Sequence, residues 1–263
     1  MTLELITTIS PLLQTVVLGV LLFFSIRLLL KKRESVTTVF LSFSIALWLF
    51  SDLYWVIFDI LRPDSRMPFA ANEFGEAALF LMIAATLNSA VPRGSRVAIV
   101  QSVCALIFAA CNAALWIAWS GEWIQDILIG LVVAWLMYSV VCSLKVTKVL
   151  SRLEWILLGV FCTLLITGQC LTFVFDDPIK STIDAGCYVL LSAGVVYWLV
   201  KLFISYRKHE SPKKIFSIII TVMTWIIVSL YMSADLMYII FFNIQTVILV
   251  FEYLAARKVV SES

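Results

Sequence analysis

The chain has 263 residues; 62% are drawn from Ala, Val, Ile, Leu, Met, Phe, Trp, Tyr and Cys, and only 14% are charged. Soluble domains are about 45–50% apolar and about 25% charged. This composition and a mean hydropathy of +1.04 therefore leave too little polar surface for an ordinary soluble protein and imply a polytopic membrane protein. The 19 basic and 17 acidic residues, net +2, give no case for a nucleic-acid partner.

A membrane span needs roughly 20 apolar residues, and the chain divides accordingly. Met1 to Ser10 lacks Lys and Arg, and the apolar run from Leu12 to Leu30 is too long for a signal core. Span one is read over Ile9 to Leu30 and span two over Val36 to Leu61. Spans three, four and five follow over Pro68 to Ala90, Val97 to Trp119 and Trp123 to Leu144. Spans six and seven cover Trp155 to Phe175 and Ile183 to Ile204. The remaining run, Ile215 to Ala256, would be about 63 Å long as one helix at 1.5 Å per residue. A turn is expected near Ser233-Ala234-Asp235, which gives nine spans; the alternative is eight spans and a short interfacial helix. The prolines fall in the loops or near helix starts.

The fold expected is all-α: a polytopic transmembrane helical bundle of about nine spans, forming a single transmembrane domain over residues 1–263. All the basic residues except Arg62, Arg66 and Lys180 fall on one set of alternate loops or within snorkelling reach of it. By the positive-inside rule these loops are cytoplasmic and the N-terminus is outside, in a multi-pass protein of the cell membrane. The acids are biased the other way, with only Glu34, Glu154, Glu210, Glu252 and Glu262 on the inner side. Asp126, Asp176, Asp177 and Asp184 read as caps or solvated helix ends.

Spans two and three carry the strongest site signal. Trp48, Asp52, Trp55 and Asp59 are spaced i, i+4, i+7, i+11 on one helical face. Asn72, Glu73 and Glu76 lie in the next span, and the short loop from Arg62 to Met67 makes the two helices antiparallel neighbours. Asp52 and Glu76 then lie at similar depths, about 13 and 12 Å below the outer ends of their spans. A charge at that depth must pair, protonate or line a wet cavity. Two carboxyl groups in a dry site cannot both ionise easily, so Asp52 and Glu76 are expected to share a proton. Such a pair suits proton exchange or a cationic solute. Asp59, Glu73 and Asn72 would support it, and Trp48 and Trp55 would wall it; structural hydrogen bonding and ordinary aromatic packing are the plainer readings.

Ala234 to Phe241 echoes Ser51 to Phe58 in chemical type. A true repeat would make Asp235 a second intramembrane acid and put the turn later; otherwise Asp235 sits in a first helical turn after an N-capping Ser233. Ala46 to Asp52, Phe74-Gly75-Glu76-Ala77-Ala78-Leu79-Phe80, Ser233 to Asp235 and Glu252-Tyr253-Leu254-Ala255-Ala256 resemble the lysoplasmalogenase (YhhN-type) membrane family. The resemblance covers about 40 residues. It implies a membrane-embedded vinyl-ether lipid hydrolase with catalytic Asp52 and Asp235. Ala84 and Ala85 stand where that family carries a histidine.

The single histidine, His209, is in a charged loop, and no C-x-x-C occurs among the six cysteines. Neither a metal site nor a disulfide framework is expected, and no nucleotide, dinucleotide or hydrolase motif calls for a cofactor. Gly159, Gly168, Gly186 and Gly194 read as small helix-packing residues, and Gln169, Asn112 and Asn243 as interhelical hydrogen-bonders. The functional expectation is an outward-facing acidic site for a cationic or proton-coupled small solute, in a transporter or receptor-like protein. The alternatives are the lipid hydrolase and a non-catalytic subunit of a membrane complex.

Overall fold

In the computed structural model, residues 3–32, 35–62, 69–92, 99–120, 123–231 and 235–262 are described, and they are helical almost throughout. In chain order the helices are α1 (Leu3–Lys31), α2 (Val36–Leu61), α3 (Phe69–Ala90), α4 (Ile99–Ser120), α5 (Trp123–Val146), α6 (Arg152–Thr172), α7 (Ile179–Arg207), α8 (Pro212–Tyr231) and α9 (Asp235–Glu262). No strand is present among the described residues. In hydrocarbon each backbone amide must be satisfied within its own segment, and a helix achieves this. Among the described residues seven helices are long and apolar enough to cross a bilayer, and α3 adds a shorter apolar stretch, Gly75–Ala90. The chain is a polytopic helical membrane protein.

The apolar run from Ile215 to Ala256 is two helices, with α8 ending at Tyr231 and α9 beginning at Asp235. Asp235 therefore occupies a first helical turn, and the later turn that a true repeat would have required does not occur. Several helices outrun their apolar cores: α1 starts at Leu3, α7 spans Ile179–Arg207, and α9 continues to Glu262. Hydropathy marks where a helix leaves the bilayer, whereas hydrogen bonding continues into the polar zone. The start of α6 is fixed by a capping box. Ser151 Oγ accepts from the Glu154 amide at 3.3 Å, and Glu154 Oε2 accepts from the Ser151 amide at 2.7 Å.

The helices gather into two compact units, residues 1–92 with 226–263, and residues 93–225. In the first unit α2 packs on α1 and α3, and α9 packs on α1, α2 and α3. α1 buries Gln14, Leu18, Leu21 and Ser25, a stripe at i, i+4, i+7, i+11, while Leu12, Val16, Val20 and Phe23 remain exposed. The exposed apolar face suits lipid. With lipid as the alternative neighbour, close packing and hydrogen bonds, rather than release of water, hold such helices together.

In the second unit α4 packs on α5 and α6, and α6 on α7. Its contacts depend on glycine. A Cβ on Gly130 would fall 2.6 Å from Ala113 Cβ, one on Gly168 would fall 2.6 Å from Cys187 Sγ, and one on Gly194 would collide with the Trp225 indole. Trp225 Nε1 donates to the Leu191 carbonyl at 3.2 Å, and its ring lies 5.6 Å from that of Phe161. A Cβ on Gly159 or Gly186 would meet nothing within 4 Å, so those two positions do not mark close helix contacts.

Candidate functional site

Three helices of the first unit bring polar side chains to one layer. Gln14 is 11 residues into α1 and Thr246 is 11 residues into α9, so each lies about 16 Å from its helix start. Asp52 is nine residues from the end of α2, about 13 Å in. The Gln14 amide sits between the other two. In one orientation its Nε2 donates to Thr246 Oγ1 at 3.0 Å, with Oε1 facing the Asp52 carboxyl. Turned end for end, Nε2 donates to Asp52 Oδ1 at 3.2 Å and Oδ2 at 3.0 Å, and Oε1 accepts from the Thr246 hydroxyl at 3.0 Å.

The oxygen and nitrogen of an amide are told apart by their partners, and here the partner's charge decides. An ionised Asp52 only accepts, so Nε2 must face it and the Thr246 hydroxyl turns to Oε1. A protonated Asp52 donates to Oε1, so Nε2 turns to Thr246 Oγ1. The Thr246 hydroxyl is then released to the Phe242 carbonyl, 3.1 Å away. Both arrangements leave this chain of donors matched to acceptors. The site therefore accommodates either protonation state without leaving a buried polar group unpaired, which would cost about 1–3 kcal/mol.

Glu76 on α3 lies within electrostatic range of Asp52, and Tyr238 on α9 lies within range of both acids. α3 lies against α2 here, since a Cβ on Gly75 would make ordinary van der Waals contact with Ser51 Cβ at 3.8 Å. No ion pair involving Asp52 is present among the described residues; the group that hydrogen-bonds it is an uncharged amide. One turn toward the starts of α1 and α9, Asn243 Nδ2 donates to Ser10 Oγ at 2.9 Å and to the Ile239 carbonyl at 2.8 Å. Further along, Tyr253 Oη donates to the Phe24 carbonyl at 3.3 Å. Residue numbers rise together on the two helices across these links, so α1 and α9 run parallel.

Of the residues singled out by sequence, Asp52 and Glu76 lie within electrostatic range of each other and are half-buried. Trp48 is 5% exposed and Trp55 is 47% exposed, so only Trp48 belongs to the packed interior. The side chains of Asp59, Asn72, Glu73 and Asp235 lie outside the described residues. On the α9 backbone, Asp235 precedes Thr246 by about 16 Å of helix rise. Gln14, Thr246 and Tyr238 were not legible as site residues. Each is one polar group in an apolar run, and the only available signal was the cost of burying such a group in a long span.

In the second unit a polar cluster lies near the start of α6. Glu154, at the start of α6, accepts from Tyr197 Oη at 2.9 Å and is paired with Lys201. Gln169 hydrogen-bonds the Cys187 thiol. Asp126, read from sequence as a cap or solvated end, is in the first turn of α5 but is buried. Between α7 and α8, Glu210 pairs with Lys214 at 2.8 Å. Burial acts to raise the Glu210 pKa, but the hydrogen bonds from Lys214 and Ser205 outweigh it and hold the carboxyl below its ordinary range.

Among the described residues no three His, Cys, Asp or Glu side chains are grouped as a metal site. Comparison with protein-family models, curated proteins and solved structures finds no match for this chain.

Proposed function

We propose that this is a nine-span protein of the cell membrane with its N-terminus outside, carrying an outward-facing acidic site for a cationic or proton-coupled small solute in a transporter or receptor-like role. One observation carries the reading: Asp52 lies deep in a span with a second carboxyl, Glu76, in electrostatic range, while its hydrogen-bonding partner is the neutral Gln14 amide. A mid-span carboxyl such as Asp52, hydrogen-bonded to a neutral amide, takes its positive charge from a proton or a bound cation. The amide that can turn either way supports a site that gains and loses a proton during use.

Parallel α1 and α9 support the odd number of crossings, because each intervening crossing reverses the direction. The distribution of Lys and Arg supports the orientation. A lipid hydrolase acting through Asp52 and Asp235 would need both carboxyls on one bond. The rise of about 16 Å from Asp235 to Thr246, which the Gln14 amide links to Asp52, favours the solute site instead.

The test replaces Asp52 with Cys in a background depleted of native cysteines. A membrane-impermeant cationic thiosulfonate added to intact cells should label this cysteine. A panel of organic amines should slow the labelling of a cysteine at Tyr238, which lies in range of both acids and leaves them in place, whereas a cysteine at the exposed Ser211 should react only after lysis. Labelling of Ser211→Cys from outside, or an Asp52→Cys unreactive from outside but reactive after lysis, would defeat the orientation and with it the site.

A further inference from the structure

We propose that Glu252 is a second proton-binding site, independent of the Asp52 and Glu76 pair. Glu252 lies on α9 six residues beyond Thr246, about 9 Å further along the helix. It is 3% exposed, and its Oε1 is buried without a hydrogen-bond partner. By sequence this residue belongs among the acids of the inner face, where a solvated carboxylate would be unremarkable. The structure instead turns it into the packed side of α9, between the buried Leu249 and Ala255.

Among the described residues no cation is paired with it. Of the ionisable groups on the helices packed with α9, Arg27 and Lys31 of α1 are exposed, Arg27 lying over the Phe23 ring. Asp52 of α2 is engaged with Gln14, and Glu76 of α3 is in range of Asp52. On α9 itself, Tyr253 donates to the Phe24 carbonyl and Arg257 is exposed. None is ion-paired with or hydrogen-bonded to Glu252. An ionised carboxylate buried without a cation or a full set of donors costs several kcal/mol, and a proton removes that cost. Glu252 thus holds a proton in the packed state, and any opening that wets this part of α9 releases it. The ligand of this site is the proton alone, because Oε1 is covered by protein and no donor is set there to hold a larger group.

The proposal stands whether or not Asp52 and Glu76 take a solute, and the experiment separates the two. The full-length protein in lipid nanodiscs is treated near neutral pH with dicyclohexylcarbodiimide. This apolar reagent adds to protonated carboxyls: the acid proton passes to a carbodiimide nitrogen, the carboxyl oxygen bonds to the central carbon, and the O-acylisourea rearranges to a stable N-acylurea with nothing lost. Peptide mass mapping should place an adduct on Glu252 at a yield at least tenfold above that of a water-soluble carbodiimide. Infrared spectra supply the deciding measurement. The protonated-carboxyl carbonyl band should lose intensity in Glu252→Gln and in Glu252→Met, and the Glu252 share of it should survive in the Asp52→Asn, Glu76→Gln double variant. An unchanged band in Glu252→Gln, with or without an adduct, overturns the proposal. Failure of both Glu252 variants to fold also overturns it, since a neutral unpartnered acid supplies no polar contact that Met would lose.

Discussion

The two units handle polar groups in opposite ways. In the first, α1, α2 and α9 carry Gln14, Asp52 and Thr246 into the middle of long helices and join them there. In the second, Glu154, Tyr197 and Lys201 meet near a helix start, while the helix interiors close through Gly130, Gly168 and Gly194. Small residues that let backbones approach are a sufficient device for stability in lipid. A carboxyl at mid-span is not needed for that purpose and is costly to maintain. The contrast supports the proposal that the first unit carries the site, while the second unit closes its helix contacts through small residues.

If packing alone builds the second unit, the largest effect should come from filling a glycine contact. Gly194→Leu should lower stability by about 1–3 kcal/mol or more, because the Trp225 ring is rigid and tied to Leu191. Gly19→Ala in the first unit, where nothing lies within 4 Å, should be neutral or gain up to about 1 kcal/mol. Thermal unfolding of both variants in one detergent gives the comparison, and equal losses would erase it.

A smaller effect tests the first unit. Gln14→Leu should cost about 1–3 kcal/mol by stranding Asp52, while Thr246 keeps its bond to the Phe242 carbonyl. Combined with Asp52→Asn it should show a coupling of at least about 0.5 kcal/mol, whereas additive losses would mean that the amide does not link them.

The smallest effect concerns a surface pair. The Glu210 carboxyl is held below its ordinary range, so its ionised form stabilises the fold at pH values above the unfolded pKa of about 4.3. That contribution is lost as pH falls through the lower folded pKa. Glu210→Gln should therefore cost about 0.5 kcal/mol near neutral pH, an effect limited by solvent screening. Wild type and variant should converge on acidification; a gap that widens in acid would reverse the sign of the linkage.

Much of the architecture was legible because breaks between helices are written locally. Pro68, Pro212 and the charged clusters at 31–34 and 207–214 interrupt apolar runs where the structure ends its helices. Asp52 and Glu76 were legible because depth in a span follows from counting residues along a helix. The partners of Asp52 were not, because Gln14 and Thr246 are 232 residues apart and no periodicity links α1 with α9. Gly159 and Gly168 look alike in sequence, yet only Gly168 has a neighbour within 4 Å. For Glu252 the sign of the nearby charges indicates a face of the membrane and says nothing of burial.

The pairing of α1 with α9 also sets an order of events in synthesis. Residues 93–225 form a contiguous unit and can assemble as they emerge, whereas the first unit stays incomplete until α9 is made. At about 5–20 residues per second, the 232 residues between Gln14 and Thr246 take roughly 10–50 s to translate. Throughout that interval α1 sits in the membrane with Ser10 and Gln14 lacking their α9 partners. A nascent chain in this state presents quality-control machinery with a span whose polar stripe is uncovered, and the arrival of α9 closes it.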